Sequence, residues 1–266
     1  MSLKRKRDMY EIAQSRVIKF IVGPEKVEFN VHEASVTWLS QPLNALLTNG
    51  MQESVDARVV WEDVEPGTFT KLLEYAYSGS FTVPDEEIQP ETSKHLSLRG
   101  KIKNRQKSTK NLLPHHMYAM EYIEHCNASS ASSAIPKAKS GANSSRTIAQ
   151  STRHSEEYYL AHARLYVLAE KYGMDGLGAL CAEKAWQSLV DNPRESYLVL
   201  ALTNMFRHVW PRTMPNDAFR TLLLRYAIIH IRWMMSSKTF VQTLNDLPEA
   251  SHELLTMIPM IYWKAL

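Results

Sequence analysis

Residues 17–81 read VIKFIVGPEKVEFNVHEASVTWLSQPLNALLTNGMQESVDARVVWEDVEPGTFTKLLEYAYSGSF, from Val17 to Phe81, and their hydrophobic pattern changes period several times. Val17 to Val22 is β-branched and aromatic apart from Lys19, while Val27, Phe29 and Val31 alternate with Glu28, Asn30 and His32. That alternation is the two-residue period of a strand with one buried face. Gly23, Pro24, Glu25 and Lys26 between the two runs are turn formers, which predicts a hairpin. After His32 the spacing becomes helical through Val36, Leu39, Leu43, Leu46 and Leu47, with Pro42 breaking it into two short helices and Gly50 closing the unit. Arg58 to Trp61 reads as a third short strand. Glu65-Pro66 then opens a helix with an apolar stripe of Phe69, Leu72, Leu73 and Ala76, stopped by Gly79.

These residues together resemble a BTB/POZ domain of the kind abundant in fungi. Phe29-x-Val31-His32, Ser40-x-Pro42-Leu43, Gly50-Met51-Gln52-Glu53-Ser54 and Phe69…Tyr75-x-Tyr77-Ser78-Gly79 fall in the family's order and spacing. None is specific alone, and their succession over about 65 residues carries the likeness. The resemblance implies an α+β fold, a small sheet with a hairpin flanked by helices, and a chain whose work is to bind other proteins. It resumes at HARLYVLAEKYGMDGLGALCAEKAWQSL, from His162 to Leu189, which is similar to the helix pair that closes such a domain. Leu165, Leu168, Ala169 and Tyr172 give the first helix its stripe. Gly173 and Gly176 turn the chain before a second stripe of Leu177, Leu180, Cys181, Ala185 and Leu189. The strand-and-helix unit alone would bury little surface, so the later helices are expected to complete the same core.

Between the halves, Lys94 to Lys110 holds seven Lys or Arg and no carboxylate, and nine of the 29 residues from Asn127 to Ser155 are serine. This composition lacks a sustained apolar period and reads as a disordered insertion. Tyr118, Met120, Tyr122 and Ile123 are an exception, a candidate helical turn that docks on the folded part. The expected organisation is therefore a basic tail over 1–14, a first BTB/POZ part over 15–84, the insertion over 85–157, completing helices over 158–190 and a helical extension over 191–266.

With 266 residues, 44% of them hydrophobic, the chain is long enough to bury a core in one composite domain or in one plus a small extension. The net charge is only +3 and the basicity is local. Two cysteines, Cys126 and Cys181, make no disulfide framework and no apolar leader precedes the folded part, so nucleus or cytoplasm is the expected compartment. In the extension, Leu198, Ala201, Leu202, Met205 and Val209 form one helical stripe and Phe219, Leu222, Leu223, Tyr226 and Ile229 another, with Asn216 or Asp217 as the intervening cap. Leu222 to Met235 is too short to span a bilayer and is interrupted by Arg225, His230 and Arg232, so a buried amphipathic helix is expected and a membrane partner is not.

Catalytic and metal chemistry finds little footing. Gly23-Pro24-Glu25-Lys26 lacks the second glycine and the Lys-Ser/Thr pair of a phosphate loop and reads as a turn. His115, His116, His125 and Cys126 are ligand types, but adjacent histidines converge poorly on one tetrahedral ion. His32, at a strand-to-helix junction, reads as a histidine satisfying nearby backbone groups, and Cys181 as a small buried hydrophobe. No Ser/His/Asp spacing argues for a triad. The chain is read as no enzyme, without cofactor or metal.

Three sets of residues carry the functional expectations. Met51-Gln52-Glu53 fits the hydrophobic-x-Glu pattern with which, the resemblance implies, adaptor-type BTB proteins contact a cullin scaffold; the plainer alternative is that Met51 packs its loop against Tyr77. Many BTB domains hold an acidic residue at the start of the first strand and a basic residue after the family histidine. Here those places hold Arg16 and Glu33, with signs exchanged. A preserved pair would allow a homodimer, a partner of ordinary sign would be repelled, and two unrelated solvated charges are the alternative. Lys4, Arg5, Lys6 and Arg7, with the basic run from Arg99 to Lys107, are read as nuclear-import signals or weak, salt-dependent nucleic-acid contacts. No finger, zipper or recognition helix stands beside them, so sequence-specific DNA binding is not expected.

Replacing Asp85 to Ser155 by a short Gly/Ser linker is expected to leave a cooperative thermal transition. Its loss would place that segment in the core.

Overall fold

A computed structural model of the chain describes residues 9–50, 52–83, 155–191 and 196–258. The basic stretches, the candidate turn at Tyr118 to Ile123, His115, His116, His125, Cys126 and nearly all of the serine-rich run lie outside them. The described residues form two compact units, one from 9–83 with Leu160–Ala185, the other from 155–159 with the residues from Trp186 onward.

The first unit is built on three strands in the order β2-β1-β3. Strands β1 (Val17–Val22) and β2 (Val27–His32) pair antiparallel with Val17 opposite His32 and Val22 opposite Val27. The connecting turn passes through Gly23 (φ 76) and Lys26 (φ 55), as the turn residues require. Strand β3 (Arg58–Trp61) lies parallel to β1 on its other side, Lys19 opposite Arg58 and Val22 opposite Trp61. Alternation decides the faces: Ile18, Phe20, Val22, Val59 and Trp61 are buried, whereas Val17, Lys19, Arg58 and Val60 face out.

A short helix α1 (Met9–Gln14) precedes the sheet, inside the stretch expected as a tail; it buries Ile12, and Ser15 Oγ donates to Ile12 O at 2.8 Å. Six residues are too few for periodicity to show. Helices α2 (Glu33–Thr37), α3 (Gln41–Thr48) and α4 (Gln52–Asp56) carry the chain from β2 to β3. Helix α5 (Pro66–Ser78) begins on proline and ends at Gly79, whose φ of 85 gives the left-handed C-cap. It turns Phe69, Leu72 and Ala76 into the core and leaves Leu73 half-buried.

Helices α6 (Glu156–Lys171) and α7 (Asp175–Asp191) follow. Helix α6 begins two residues inside the expected insertion, where Ser155 Oγ accepts from Tyr158 N at 3.2 Å. From Leu160 to Ala185 these helices share the first unit. Tyr172 stacks on Trp61 with ring centroids 4.3 Å apart, Arg164 pairs with Glu65 at 3.1 Å and Lys171 with Asp63 at 2.6 Å. A methyl group on Gly176 would stand 2.9 Å from the Tyr75 hydroxyl, a close approach that favours glycine. Lys171 holds the Asp63 carboxyl below the usual carboxylate range by its hydrogen bond, and Asp63 likewise raises Lys171. A depressed carboxylate loses its contribution as pH falls through its folded value, and a raised ammonium as pH rises through its own. The pair therefore contributes steadily between roughly pH 4 and pH 10. At 47% and 65% side-chain exposure that contribution is a fraction of a kcal/mol.

The second unit is helical in its described part: α8 (Ser196–Val209), a 3-10 turn over Trp210–Arg212, α9 (Ala218–Ile229), α10 (Ile231–Met235), α11 (Lys238–Asp246) and α12 (Pro248–Met257). Every residue of the two expected stripes is buried. Asp217, not Asn216, caps α9, accepting from Phe219 N at 2.8 Å and Arg220 N at 3.1 Å. The run expected as one amphipathic helix breaks at His230 (φ −114), and its first part is buried nearly all round. Among the described residues no helix is long and apolar enough to cross a membrane.

Arg220 is a buried cation that hydrophobic patterning does not reveal. Only 2% exposed, it donates to Glu253 at 2.7 Å, Trp210 O at 2.7 Å, Thr213 Oγ1 at 2.9 Å and Thr213 O, with the Trp210 ring 5.3 Å away. A charge so placed is tolerable because its donors are met.

In urea denaturation, Leu72→Ala or Leu168→Ala is expected to cost about 2 to 5 kcal/mol. A neutral result in folded protein would remove that helix from the core. Arg220→Met, which strands Glu253 and two carbonyls, is expected to cost about 3 kcal/mol or more; a neutral result would show that the network contributes nothing to stability.

Candidate protein-interaction surface

Helix α3 starts because Ser40 Oγ accepts from Leu43 N at 3.2 Å and Pro42 occupies the first turn, where its missing N–H costs no hydrogen bond. It presses Leu43 and Leu47 into the core and ends at Thr48. Gly50 has φ 70 and open space where a Cβ would stand, so the backbone turn and not crowding favours glycine there. Met51 lies outside the described residues. The segment expected as a loop before the third strand is instead a single helical turn from Gln52, closed by Ala57 at φ 49. Of the α4 side chains that are described, Ser54 is buried and Val55 is 73% exposed.

Arg16 stands behind this turn. Its Nε donates to Glu33 Oε2 at 3.0 Å and its Nη2 to Glu33 Oε1 at 2.8 Å, a forked pair within one chain. Nη2 also donates to Leu47 O at 2.7 Å and Nη1 to Ser54 O at 2.7 Å. The strand start, the first residue of α2, the end of α3 and the body of α4 thus meet on one guanidinium. The Glu33 hydrogen bond raises the Arg16 pKa above its ordinary value, so the group stays charged.

His32 sits at the strand-to-helix junction. Its backbone N–H donates to the Tyr77 hydroxyl at 3.1 Å, and its Nδ1 lies 3.0 Å from the same oxygen. The sequence pointed to a histidine satisfying backbone groups; the partner is a side chain of α5 that itself meets the backbone N–H. The signal was available in Tyr75-x-Tyr77, two aromatics of which one carries this bond. Cys181 is buried, and burial pushes its thiol well above the usual range, which leaves no nucleophilic thiolate. Among the described residues no cluster of His, Cys, Asp or Glu is arranged to hold a metal ion. Lys4, Arg5, Lys6 and Arg7 lie outside those residues.

What this geometry offers is a small scaffold with a one-turn helix on its surface, an arrangement suited to contact with another protein. Residues 18–111 match the family model described as "BTB/POZ domain". The match runs past the third strand and α5 into residues expected as insertion. Among curated proteins, Kelch-like protein 40b of Danio rerio is 27% identical over 82 residues, covering 30% of this chain and 13% of that protein. The chain thus spans only a small part of that relative's length. Sheet, hairpin, flanking helices and family match agree: this chain carries a BTB/POZ domain over residues 18–111.

Proposed function

We propose that the chain is a non-enzymatic protein-interaction module that recruits partner proteins through its BTB/POZ domain. The observation that carries this reading is the family match over a fold that presents α4 at its surface, with Val55 exposed beside the Met51-Gln52-Glu53 pattern. In this reading Met51 supplies an adaptable apolar contact and Glu53 an orienting charge.

The more specific form is an adaptor of a cullin-based ubiquitin ligase that brings a substrate by way of its helical extension. The hydrophobic-x-Glu pattern supports it, and so does the similarity to a Kelch-like protein. A homodimer and a location in nucleus or cytoplasm belong to the same proposal, as does a nuclear scaffold or transcription-related regulator that uses the basic segments, the run from Arg99 to Lys107 together with Lys4, Arg5, Lys6 and Arg7. The fungal character rests on the sequence motifs alone, since the relative reported above is from a fish.

Affinity purification followed by mass spectrometry tests the module directly. Recovery of a cullin selects the adaptor form, recovery of chromatin proteins the scaffold. Met51→Ala is expected to weaken cullin retention about tenfold or more, equivalent to about 1.4 kcal/mol, with the melting temperature nearly unchanged. Glu53→Lys should act in the same direction. A wild-type chain that retains no cullin, or a Met51→Ala chain that retains it normally, removes the adaptor form.

A further inference from the structure

We propose that Arg16 is a positioning residue for partner binding: its guanidinium fixes α4 against the end of α3, and the Arg16–Glu33 pair is spent within one chain on that task. The inference rests on the reading that the surface around α4 receives the partner.

Two short helices end with unmet carbonyls beside this side chain. The last four carbonyls of a helix have no partner within it, and the negative end of the helix dipole lies there. Leu47 is the penultimate residue of α3, and Ser54 lies within the final four residues of α4. Arg16 donates to both carbonyls at 2.7 Å, so one cation closes the C-terminal ends of two helices. A helix of one turn has no stability of its own, and left-handed residues, Gly50 at φ 70 and Ala57 at φ 49, bend the chain sharply at both sides of it.

Glu33 has a different part. It takes the Nε and one Nη2 hydrogen at 3.0 and 2.8 Å, which leaves Nη1 and the second Nη2 hydrogen for the two carbonyls. The backbone reinforces this, because Glu33 N donates to Arg16 O at 2.9 Å. Four N–H donors of Arg16 are thereby used in cis, and a second copy would have to compete with these bonds to use the pair as a dimer contact. The exchange of signs also has a chemical consequence. The guanidinium at position 16 donates to Leu47 O and Ser54 O, whereas an ionised carboxylate there has no proton to give.

Hydrogen exchange at the amides of residues 52–57, set against those of β1 and α5, reads the position of α4 independently of any partner. Arg16→Met should speed exchange at 52–57 by tenfold or more while the β1 and α5 amides change less than threefold. Glu33→Ala, which leaves both carbonyl bonds available, should change 52–57 less than threefold. The swapped double variant Arg16→Glu with Glu33→Arg keeps an ion pair and should still behave as Arg16→Met. Recovery of slow exchange in the swap would overturn the proposal, as would an unchanged rate in Arg16→Met. Should Arg16→Met fail to fold, Arg16→Gln, a polar side chain too short to reach both carbonyls, decides: selective acceleration at 52–57 supports the positioning role, and a rate equal to wild type overturns it. In cullin retention, Arg16→Met should lose at least tenfold and Glu33→Ala less than threefold; equal losses overturn the division of roles. A wild-type chain that retains no cullin defeats the adaptor reading alone, and the exchange rates still decide what Arg16 does.

Discussion

Trp61 holds the first unit together. Its ring meets Phe20 edge-on at 5.3 Å, Phe69 edge-on at 5.7 Å and Tyr172 in a stack at 4.3 Å. Those three contacts come from the central strand, from α5 and from the turn just after α6, more than a hundred residues further along the chain. Edge-to-face and stacked aromatic pairs add about 0.5 to 1.5 kcal/mol each beyond the area they bury. The fold can therefore be interrupted after residue 83 and closed again at α6, because the closing contacts are made to a side chain that the sheet already holds in place.

The sheet, the hairpin and α5 were legible in the sequence because each repeats its burial at a period set by backbone geometry. Ile18 and Phe20 alternate with the outward Val17 and Lys19 before the strand becomes buried on both faces at Ile21 and Val22, and Phe69, Leu72 and Ala76 recur on one face. The stripes of α8 and α9 were legible for the same reason. Three things were not. Helix α1 is too short to show a period, and α4 is a single turn that owes its place to a residue more than thirty positions earlier. The break at His230 leaves no trace in a run that is apolar on all sides, since burial all round erases the period from which a helix boundary is read.

Polar residues were read by type and gained their meaning from partners. The sequence placed Arg16 and Glu33 together by likeness to a family, which suggested contact between chains; the geometry gives them a shared set of bonds within the chain. Arg220 passed unnoticed because patterning counts a cation as surface. Its four hydrogen bonds go to Thr213, Trp210 and Glu253, groups that the fold brings round it. Met51, Gln52 and Glu53 were legible as a pattern, and their role depends on a partner that the chain alone does not contain.

The central claim is that the strands, α5 and the first-unit parts of α6 and α7 form one cooperative body across the long intervening segment. Native-state hydrogen exchange with increasing denaturant measures this most directly. The account predicts that amides around Leu165 to Ala169 and those of β1 converge on a single opening free energy equal to that of global unfolding. An α6 that opens at a distinctly lower free energy while β1 stays protected would contradict it.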